Sequence, residues 1–585
     1  MMRRPVLIVL TLGLLIMTAL PQPPRVIDHY RVLLNQLEQE GLPRLSSKGM
    51  VSTAEPHATV AGVAALRAGG TAVDAAVAAA FALAVTYPNA GNLGGGGFLL
   101  HVPASGGTPA VFDFRETAPA AASRTMYLDP AGRYIPDSST EGFRAAGVPG
   151  TVRGLHAAWQ RAGRLPWAAL LEPAIALAAE GFPVSADLAR RLAAEAARLS
   201  AHPATTAIFF RDGRPLGEGE HLVQRDLAAT LRRIAAGGEA EFYSGETAER
   251  LAAESTRHGG LITRDDLRAY RVAMRLPLAF RFRDFEIVTM PLPGGGVVLA
   301  EILQILEPYA LARLPEPVYL QLLAEAMRLA YADRANRMGD PDHVSDPTAE
   351  LLAPAHIDRL RLLIKPGVAL DSRFFLPGAA APQPESTETT HLSVVDAAGH
   401  AVSLTYTLNE NFGCGAVVAG LGFLLNNEMD DFASAPGQPN TFRLIQGEAN
   451  AIAPGKRPLS SMTPVVARRG GRPVLVLGSP GGPTIATAVA QVLLNVLEFG
   501  LDLDAAVQRS RIHQQWLPDV LYHEPATLAE PVRQVLAGMG YDLKPYTRSG
   551  RLGLVECVAV EWDAAGRPVM RGASDPRGTG LAAGF

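Results

Sequence analysis

Two adjacent threonines, Thr389 and Thr390, stand directly before an alternating apolar and polar stretch that predicts a β-strand. Residues 376–386 (LPGAAAPQPES) precede them and predict a flexible, exposed segment. A cut between the two elements would make a threonine the first residue of a new chain. Its hydroxyl needs a base, and a free α-amino group with a pKa of about 7.7–8.0 can supply one. The stretch therefore suggests a chain that is cut to create a threonine nucleophile.

The hairpin that follows would give this threonine a hydrogen-bond partner. DAAGH predicts a five-residue turn between two strands, and pairing Val395 with Ala401 then places Thr389 opposite Thr407. Directly opposed residues have Cβ atoms about 4.5–5.5 Å apart, so Thr407 would contact the nucleophile. An ordinary pair of Thr-rich strands would show the same pattern, and a register slip of one residue would separate the two hydroxyls.

A second feature is the glycine loop in VLVLGSPGGPTIATAVAQVLLN, where a strand leads into a helix that begins near Thr484. Glycine amides at a helix N-terminus can bind a phosphate or a developing oxyanion. Neither G-x-x-x-x-G-K-[ST] nor G-x-G-x-x-G is present, which argues against a nucleotide. Gly481 and Gly482 are therefore candidates for an oxyanion hole, with a tight turn of no function as the alternative.

Arg115, in DFRETAP, follows the end of an apolar strand and is a candidate for binding a carboxylate. Guanidinium groups bind carboxylates through two parallel hydrogen bonds, which fixes the orientation of a ligand. A local salt bridge between Arg115 and either Asp113 or Glu116 is the alternative at this position. The residue types alone do not separate the two interpretations.

A cluster of acidic residues in GFLLNNEMDDF includes Glu428, Asp430 and Asp431. Its spacing does not fit an EF-hand loop, and carboxylates beside a catalytic threonine would suit a substrate ammonium group. A solvated turn is the alternative. Ser460 and Ser461, in KRPLSSMTP, predict only a turn when taken alone.

Composition restricts the class of protein. A chain of 585 residues with 48% hydrophobic residues can build a large core over two to four domains or within one large unit. The formal net charge of −4 argues against a general binder of nucleic acids or anionic membranes. Two cysteines, Cys414 and Cys557, allow at most one disulfide and exclude a Cys-rich metal site.

The N-terminus predicts export. Arg3 and Arg4 precede an apolar run over residues 6–20, an order that is typical of a signal peptide. The run is shorter than the ~20 residues that span a bilayer, and no A-x-A cleavage site is evident, so an uncleaved anchor is an alternative, as is a buried core element. We therefore predict residues 1–20 as a signal peptide or anchor, residues 21–48 as an exposed amphipathic lead-in, and a periplasmic or extracellular location.

The elements that must position these groups are distributed unequally. Helical patterns that end at glycines or before proline dominate residues 50–88 and 151–270. Strand patterns follow over residues 392–395, 401–407 and 473–477. A helix-rich first part and a strand-rich second part predict an α+β fold of mixed layers.

These motifs occur together, in this order, in one family. From about Gly49 to the C-terminus the chain closely resembles the γ-glutamyltransferases, also called γ-glutamyltranspeptidases. The segments that carry the resemblance are GMVSTAEPHATVAG, GGTAVDAAVAAAFALAV, NLGGGGFLL, DFRETAP, GVPGTV, YADRANRMGDP, TTHLSVVDAAGHAVSLTYTLN, LLNNEMDDF, KRPLSSMTPVV, GSPGGP, HQQWLPD and DPRGTG.

The resemblance implies the fold of N-terminal-nucleophile hydrolases, an α+β four-layer αββα sandwich with two stacked antiparallel sheets between helical layers. It also implies that the precursor cuts itself between Glu388 and Thr389. A large subunit over residues 49–388 and a small subunit over residues 389–585 would then stay associated as a heterodimer.

The resemblance further implies γ-glutamyl transfer from glutathione or a related amide, through an acyl-enzyme, to water or an amino acid, without a metal or cofactor. The implied partners are this small-molecule substrate and the chain's own two subunits, with no nucleic acid. The residues implied by motif position are Thr389 as nucleophile, Thr407 as its hydroxyl partner, Gly481 and Gly482 as oxyanion hole, Arg115, Ser460 and Ser461 at the substrate α-carboxylate, and Asn409, Glu428 and Asp431 at its α-amino group.

Two alternative functions are compatible with the sequence. One is a relative with another acyl preference, such as a glutaryl (cephalosporin) acylase or a poly-γ-glutamate depolymerase. The other is an exported, uncut binding protein that retains the fold without the activity. A single full-length chain after folding would favour the binding protein, whereas two chains would favour an enzyme.

Overall fold

A computed structural model describes residues 25–104, 106–375, 389–433, 447–525, 528–547 and 550–585 of the chain. The predicted signal segment at residues 1–20 and the predicted flexible segment at 376–386 lie outside these residues. Within the part described, none of the helices combines the length and the apolar character needed to cross a membrane. Cys414 and Cys557 are both buried, and both are free thiols.

Two seven-stranded antiparallel sheets form the centre of the fold. The first sheet has the order β21-β2-β12-β13-β3-β4-β9 and the second has the order β1-β20-β19-β15-β14-β11-β10. Their strands are β1 (Leu45–Ser46), β2 (Gly49–Thr53), β3 (Gly96–Val102), β4 (Ala110–Asp113), β9 (Ala273–Arg275), β10 (Leu278–Phe282), β11 (Phe285–Thr289), β12 (Thr390–Asp396), β13 (Ala401–Thr407), β14 (Val465–Arg469), β15 (Arg472–Gly478), β19 (Glu556–Trp562), β20 (Pro568–Ser574) and β21 (Leu581–Gly584).

Seven short strands form three small sheets at the periphery. They are β5 (Phe182–Pro183) with β8 (His221–Leu222), β6 (Phe210–Arg211) with β7 (Arg214–Pro215), and β16 (Ile512–His513), β17 (Leu521–His523) and β18 (Leu543–Pro545).

A first helical layer shares a hydrophobic core with the first sheet. Its helices are α1 (Val26–Gln39), α2 (Pro56–Arg67), α3 (Ala72–Thr86), α4 (Thr151–Ala162), α5 (Trp167–Glu180), α6 (Ala186–Ala194), α7 (Ala196–Ser200), α8 (Pro203–Phe209), α9 (Arg225–Ser244), α10 (Glu246–Arg257) and α11 (Arg264–Ala269). Alanine dominates α2 and α3, and its small side chain lets these two buried helices pack closely on each other and on the sheet.

A second helical layer covers the outer face of the second sheet with a separate core. It contains α12 (Gly296–Leu306), α13 (Glu316–Arg337), α14 (Thr348–Leu351), α15 (Pro354–Leu363), α16 (Thr484–Leu497), α17 (Leu503–Gln508) and α18 (Glu530–Gly538). The order of layers is therefore helix, sheet, sheet, helix, which confirms the predicted αββα sandwich.

The two sheets are joined by hydrogen bonds as well as by apolar contacts. All seven residues of β12 and all seven of β13 are buried, so the polar side of their alternating pattern faces the second sheet rather than solvent. Ser403 Oγ donates to the carbonyl oxygen of Leu477 at 3.0 Å, and Ser393 Oγ donates to that of Glu556 at 3.0 Å. Polar side chains between the sheets are tolerated because they are paired in this way.

The predicted hairpin register is confirmed. β12 pairs with β13 with Val395 opposite Ala401 and Thr390 opposite Tyr406, which sets Thr389 opposite Thr407. The predicted helix start at Thr484 is also confirmed. The first part of the chain is less purely helical than its sequence pattern suggests, because it contributes strands to both sheets.

Candidate active site

Thr389 lies immediately before β12, and only 4% of the residue is exposed. Its Oγ1 donates a hydrogen bond to Oγ1 of Thr407 at 3.3 Å. The backbone N–H of Asn409 donates to the same Thr407 oxygen at 2.8 Å. Asn409 has a left-handed backbone (φ 80°), a conformation that asparagine tolerates better than most residues. The end of the hairpin therefore holds the two hydroxyls together, as the register predicts.

The glycine loop connects β15 to α16. Gly481 and Gly482 both have positive φ angles, 137° and 52°, which L side chains rarely adopt. A Cβ atom on Gly481 would lie only 2.3 Å from Oγ1 of Thr484, the first residue of the helix. Gly482 lines the same pocket as Thr389. The loop thus places glycine backbone at a helix N-terminus beside the threonine.

Arg115 is fully buried, and all three of its guanidinium nitrogens donate hydrogen bonds. Nη1 donates to Glu428, Nη2 donates to Asp431, and Nε donates to the carbonyl oxygen of Pro458 at 3.3 Å. Glu116 lies 3.6 Å from Nη1. The local salt bridge that the sequence left open is therefore present, but two acidic residues from a distant segment are closer partners.

Asp113, the other local candidate, faces different cations. Its carboxylate lies 2.6 Å from Nε of Arg275 and 3.5 Å from Nε of Arg457. It also accepts a hydrogen bond from the backbone N–H of Arg115 at 3.0 Å. Asp113 thus orients the backbone of Arg115 without taking part in its guanidinium pairing.

Burial disfavours the charged form of two of the carboxyl groups around Arg115. Burial raises the pKa of Glu428 well above its usual range, against the opposing effect of Arg115. Burial likewise raises the pKa of Glu116 to about 8. Burial lowers the pKa of Arg115, but the nearby carboxylates outweigh this effect and raise it. Arg115 is therefore a buried cation beside two carboxyl groups, Glu116 and Glu428, whose pKa values are raised by burial.

The remaining predicted residues, Ser460, Ser461 and Asn409, lie in the same region as Thr389 and Arg115. Ser460 and Ser461 are 2% and 8% exposed, and the backbone N–H of Ser460 is anchored on the carbonyl oxygen of Pro293 at 2.8 Å. Nδ2 of Asn409 donates to the carbonyl oxygen of Asn427 at 3.0 Å, next to the acidic cluster. These contacts fix loop segments that have no regular secondary structure.

A single pocket of about 310 Å³ brings the predicted residues together. Nine of the ten line it, and the tenth, Gly481, directly precedes one of them. The lining residues are Arg115, Arg334, Thr389, Thr407, Asn409, Glu428, Asp431, Ser460, Ser461, Met462, Gly482, Pro483 and Ile485.

Arg334 is the charged lining residue that the sequence reasoning missed. It lies near the end of α13 and is 2% exposed. Within the described part of the chain, neither Nε nor Nη1 of Arg334 has a hydrogen-bond partner. Burial lowers its pKa. The sequence carries no pattern that marks it, because the burial that makes an unpaired cation costly is visible only in the structure.

Helix α13 also contacts the glycine loop. The hydroxyl of Tyr331, one turn before Arg334, donates a hydrogen bond to the carbonyl oxygen of Pro483. Pro483 directly follows Gly482 and precedes α16. The helix therefore supports the loop through Tyr331 and presents Arg334 to the pocket.

The fold and the position of the threonine define an N-terminal-nucleophile hydrolase: an αββα sandwich with the residue at the start of a central strand. A family model for γ-glutamyltranspeptidase matches residues 58–585. The chain belongs to the γ-glutamyltranspeptidase family and is an enzyme of that family.

Individual relatives agree with this assignment. The chain is 44% identical over 541 residues to a glutathione hydrolase proenzyme from Pseudomonas aeruginosa, covering 91% of this chain and 94% of that protein. It is 36% identical over 551 residues to the acylase ACY 1 proenzyme from a Pseudomonas species, covering 91% and 95%. Among solved structures, the cephalosporin acylase from Bacillus halodurans superposes with a TM-score of 0.80 at 28% identity, covering 92% and 96%.

Proposed function

We propose that the chain cuts itself before Thr389 and then transfers γ-glutamyl groups from glutathione or related γ-glutamyl amides to amino acids, peptides or water. The observation that carries this function is the pairing of Thr389 with Thr407, at 3.3 Å, in a pocket that also contains buried cations and carboxylates. Such a pocket complements the α-carbon of a γ-glutamyl group, which bears both a carboxylate and an ammonium group.

Self-cleavage needs the hydroxyl of Thr389, the preceding peptide bond and one water molecule. Oγ1 attacks the carbonyl carbon of residue 388, and the C–N bond breaks as the amide nitrogen takes up a proton. That step frees the α-amino group of Thr389. Water then hydrolyses the resulting ester, which releases a carboxylate on residue 388 and restores the hydroxyl of Thr389. The hydrogen bond with Thr407 orients the attacking oxygen.

Turnover reuses the same atoms. The α-amino group of Thr389 accepts the hydroxyl proton, and Oγ1 attacks the γ-carbonyl carbon of the donor. Backbone N–H groups of Gly481 and Gly482 stabilise the oxyanion, and the leaving amine departs with the proton. A γ-glutamyl ester on Thr389 remains. Water or an incoming amine attacks this ester and regenerates the hydroxyl.

The charged residues divide the recognition of the α-carbon. Glu428 and Asp431 already occupy two nitrogens of Arg115. Arg334 therefore supplies the cation that binds the incoming carboxylate. Ser460 and Ser461 act as hydrogen-bond donors to the same carboxylate. Asp431, Glu428 and Asn409 receive the ammonium group. As the zwitterion binds, Arg115 keeps Glu428 and Asp431 in place. It also donates a hydrogen bond to the substrate carboxylate, in addition to the contact made by Arg334.

A glutaryl donor would interact with this pocket differently from a γ-glutamyl donor. A glutaryl group has the terminal carboxylate but lacks the ammonium, so it would leave Asp431 and Glu428 without a new partner. The buried acidic residues therefore favour a γ-glutamyl donor over a glutaryl donor. The higher identity to the glutathione hydrolase proenzyme than to the acylase points the same way. A poly-γ-glutamate depolymerase would use the same pocket on a polymeric donor.

The proposed life cycle includes export and a two-chain product. Residues 1–20 direct the precursor to the periplasm or the exterior, and the large and small subunits remain one folded unit. Strands on both sides of the cut support this association, since β12 after the cut pairs with β2 before it. Cleavage at residue 388 would leave that ladder intact.

The test compares γ-glutamyl and glutaryl anilides that share the same leaving group. Purified, self-cut protein should give a higher kcat/KM with the γ-glutamyl substrate. A preference for the glutaryl anilide would overturn the proposed substrate class. An uncut chain without activity on either anilide would overturn the enzymatic proposal and favour a binding protein.

A further inference from the structure

Three helices of the second helical layer bring together a cluster that the proposed chemistry does not use. Glu301 of α12, Asp333 of α13 and His356 of α15 each direct one potential ligand atom to the same place. These three atoms all lie within 4.8 Å of one another. None of the three residues lines the pocket around Thr389. The cluster is thus a separate site.

Glu301 is the residue that favours a cation at this place. Its side chain is fully buried, and within the described residues neither of its carboxylate oxygens has a hydrogen-bond partner. Burying an ionised carboxylate without a partner is costly, so native proteins protonate such groups, pair them or place them on metals. His356 is the one basic residue of the three, and its Nε2 lies 3.7 Å from Oε1 of Glu301.

The distance between His356 and Glu301 suits a small divalent ion. Zinc binds histidine nitrogen and carboxylate oxygen at about 2.0–2.2 Å, so neighbouring ligand atoms of a tetrahedral site lie about 3.4 Å apart. The 3.7 Å between His356 and Glu301 is close to this value. His356 Nε2 and Asp333 Oδ2 are hydrogen-bonded at 2.7 Å and would separate slightly as an ion entered between them.

We propose that Glu301, Asp333 and His356 form a binding site for a divalent transition-metal ion of the zinc type, with water as the fourth ligand. An imidazole with two carboxylates favours such an ion over calcium or magnesium, which prefer all-oxygen sites. Asp333 and His356 are partly exposed, at 17% and 10% of their side chains, whereas Glu301 is fully enclosed. The ion would therefore enter past the first two and bind Glu301 last.

The proton on His356 must move when the ion binds. Nδ1 of His356 accepts a hydrogen bond from Nη2 of Arg359 at 3.0 Å, so the ring proton lies on Nε2, facing Asp333. A metal ion at Nε2 requires the other tautomer, with the proton on Nδ1. Arg359 is exposed and can turn away. The imidazole then binds the ion without any net loss of a proton.

An ion here would stiffen the helices that border the active-site pocket. Asp333 directly precedes Arg334, which lines that pocket. Helix α12, which bears Glu301, begins after Gly295, whose backbone N–H donates to the carbonyl oxygen of Met462 in the pocket wall at 2.9 Å. The role of the ion would be structural, since its ligands do not touch the reacting atoms. Zinc binding is therefore independent of the γ-glutamyl chemistry.

The experiment titrates zinc into the self-cut protein, free of any affinity tag and treated with chelator, by isothermal calorimetry. We expect one tight zinc ion per chain, much weaker binding of calcium, and a Tm that rises with zinc concentration. Glu301→Gln keeps the shape of the side chain and removes its charge. Glu301→Gln and His356→Gln should each weaken zinc binding at least roughly tenfold, as loss of a ligand does.

A matched control comes from the segment that follows α13. His343 also faces an aspartate, with Nδ1 3.1 Å from Oδ2 of Asp340, but it belongs to no three-ligand cluster in the described part of the chain. His343→Gln should bind zinc like the wild type. Absence of stoichiometric zinc binding by the wild type would overturn the site. So would equal zinc affinity in the wild type, Glu301→Gln and His356→Gln, because the ion would then bind elsewhere.

Discussion

The two sides of the pocket are built in different ways. One side, the nucleophile side, consists of Thr389, Thr407 and the glycine loop at Gly482. It comes from two local units, a hairpin and a strand–loop–helix connection. Backbone hydrogen bonds set its geometry. The position of each functional atom on this side therefore follows from a strand register and from two positive φ angles.

The other side, the charged side, consists of Arg115, Arg334, Glu428 and Asp431. Its members come from segments that are far apart in the chain, and side-chain ion pairs rather than a backbone ladder connect three of them. Its geometry depends on a balance of buried charges. The comparison teaches that substitutions on the charged side should alter which substrate is bound, whereas those on the nucleophile side should slow every substrate alike.

The largest effect on selectivity is expected for Arg334→Gln. Three anilides separate the charges: γ-glutamyl has the carboxylate and the ammonium, glutaryl lacks the ammonium, and 4-aminobutyryl lacks the carboxylate. Losing one half of a buried charge pair costs about 2–5 kcal/mol, so kcat/KM should fall at least roughly thirtyfold for the first two donors. The 4-aminobutyryl donor should be little affected.

A control variant on the same helix is Arg337→Gln. Arg337 pairs with Glu350, is partly exposed and does not line the pocket. It should leave the kcat/KM values of all three donors near those of the wild type. Equal losses on all three donors for Arg334→Gln would show that Arg334 supports the fold rather than reads the carboxylate.

Asp431→Asn is expected to have a smaller effect on kcat/KM and to change the donor selectivity in a different direction, through the ammonium group rather than the carboxylate. The neutral amide can no longer attract the substrate ammonium, so kcat/KM for the γ-glutamyl donor should fall at least roughly tenfold. The glutaryl donor should be unaffected or improved, because a repulsion is removed. Measuring both donors with the same variant tests this directly. Equal losses on both would mean that Asp431 does not recognise the amino group.

The sequence alone predicts the nucleophile side of the pocket better than the charged side. The hairpin register was predictable because DAAGH leaves little freedom in pairing Val395 with Ala401, and the glycine loop was predictable because only glycine suits such backbone angles. The pairing of Arg115 with Glu428 and Asp431 was not, because charge partners from distant segments leave no periodic signal. Arg334 was missed for a similar reason, since a helix buried on nearly every side shows no polar face.

A moderate effect on all donors is expected for Thr407→Val. Valine keeps the shape of the side chain but removes the hydroxyl that accepts the hydrogen bond from Thr389. A neutral hydrogen bond contributes about 0.5–1.5 kcal/mol, so both self-cleavage and turnover should slow roughly threefold to tenfold. Timed gels and anilide assays measure the two rates. Unchanged rates for both steps would show that the contact has no part in either.

The smallest effect concerns stability at different pH values. The pKa of Glu116 is about 8 in the folded chain, against 4.5 as its ordinary value. The folded state thus binds more protons than the unfolded state between these pH values, and Glu116 makes the free energy of unfolding fall as pH rises through this window. Glu116→Gln removes that contribution.

The measurement is the Tm of the two proteins from pH 5 to pH 9, made in the uncut Thr389→Ala chain so that unfolding involves one molecule. The variant should gain Tm relative to its parent as the pH rises. The exposed Glu38→Gln serves as a control and should show no such trend. A constant difference in Tm across the range would mean that Glu116 does not titrate in this window.

The central claim is that Thr389 makes its own amino group available by cutting the chain before it. The direct measurement is the intact mass and N-terminal sequence of the wild type, Thr389→Ala and Thr390→Ala after identical folding and purification. We expect two chains in the wild type and in Thr390→Ala, with the smaller wild-type chain beginning at Thr389, and one uncut chain in Thr389→Ala. Cleavage of Thr389→Ala at the same bond and the normal rate would contradict the account, because another protease would then make the cut.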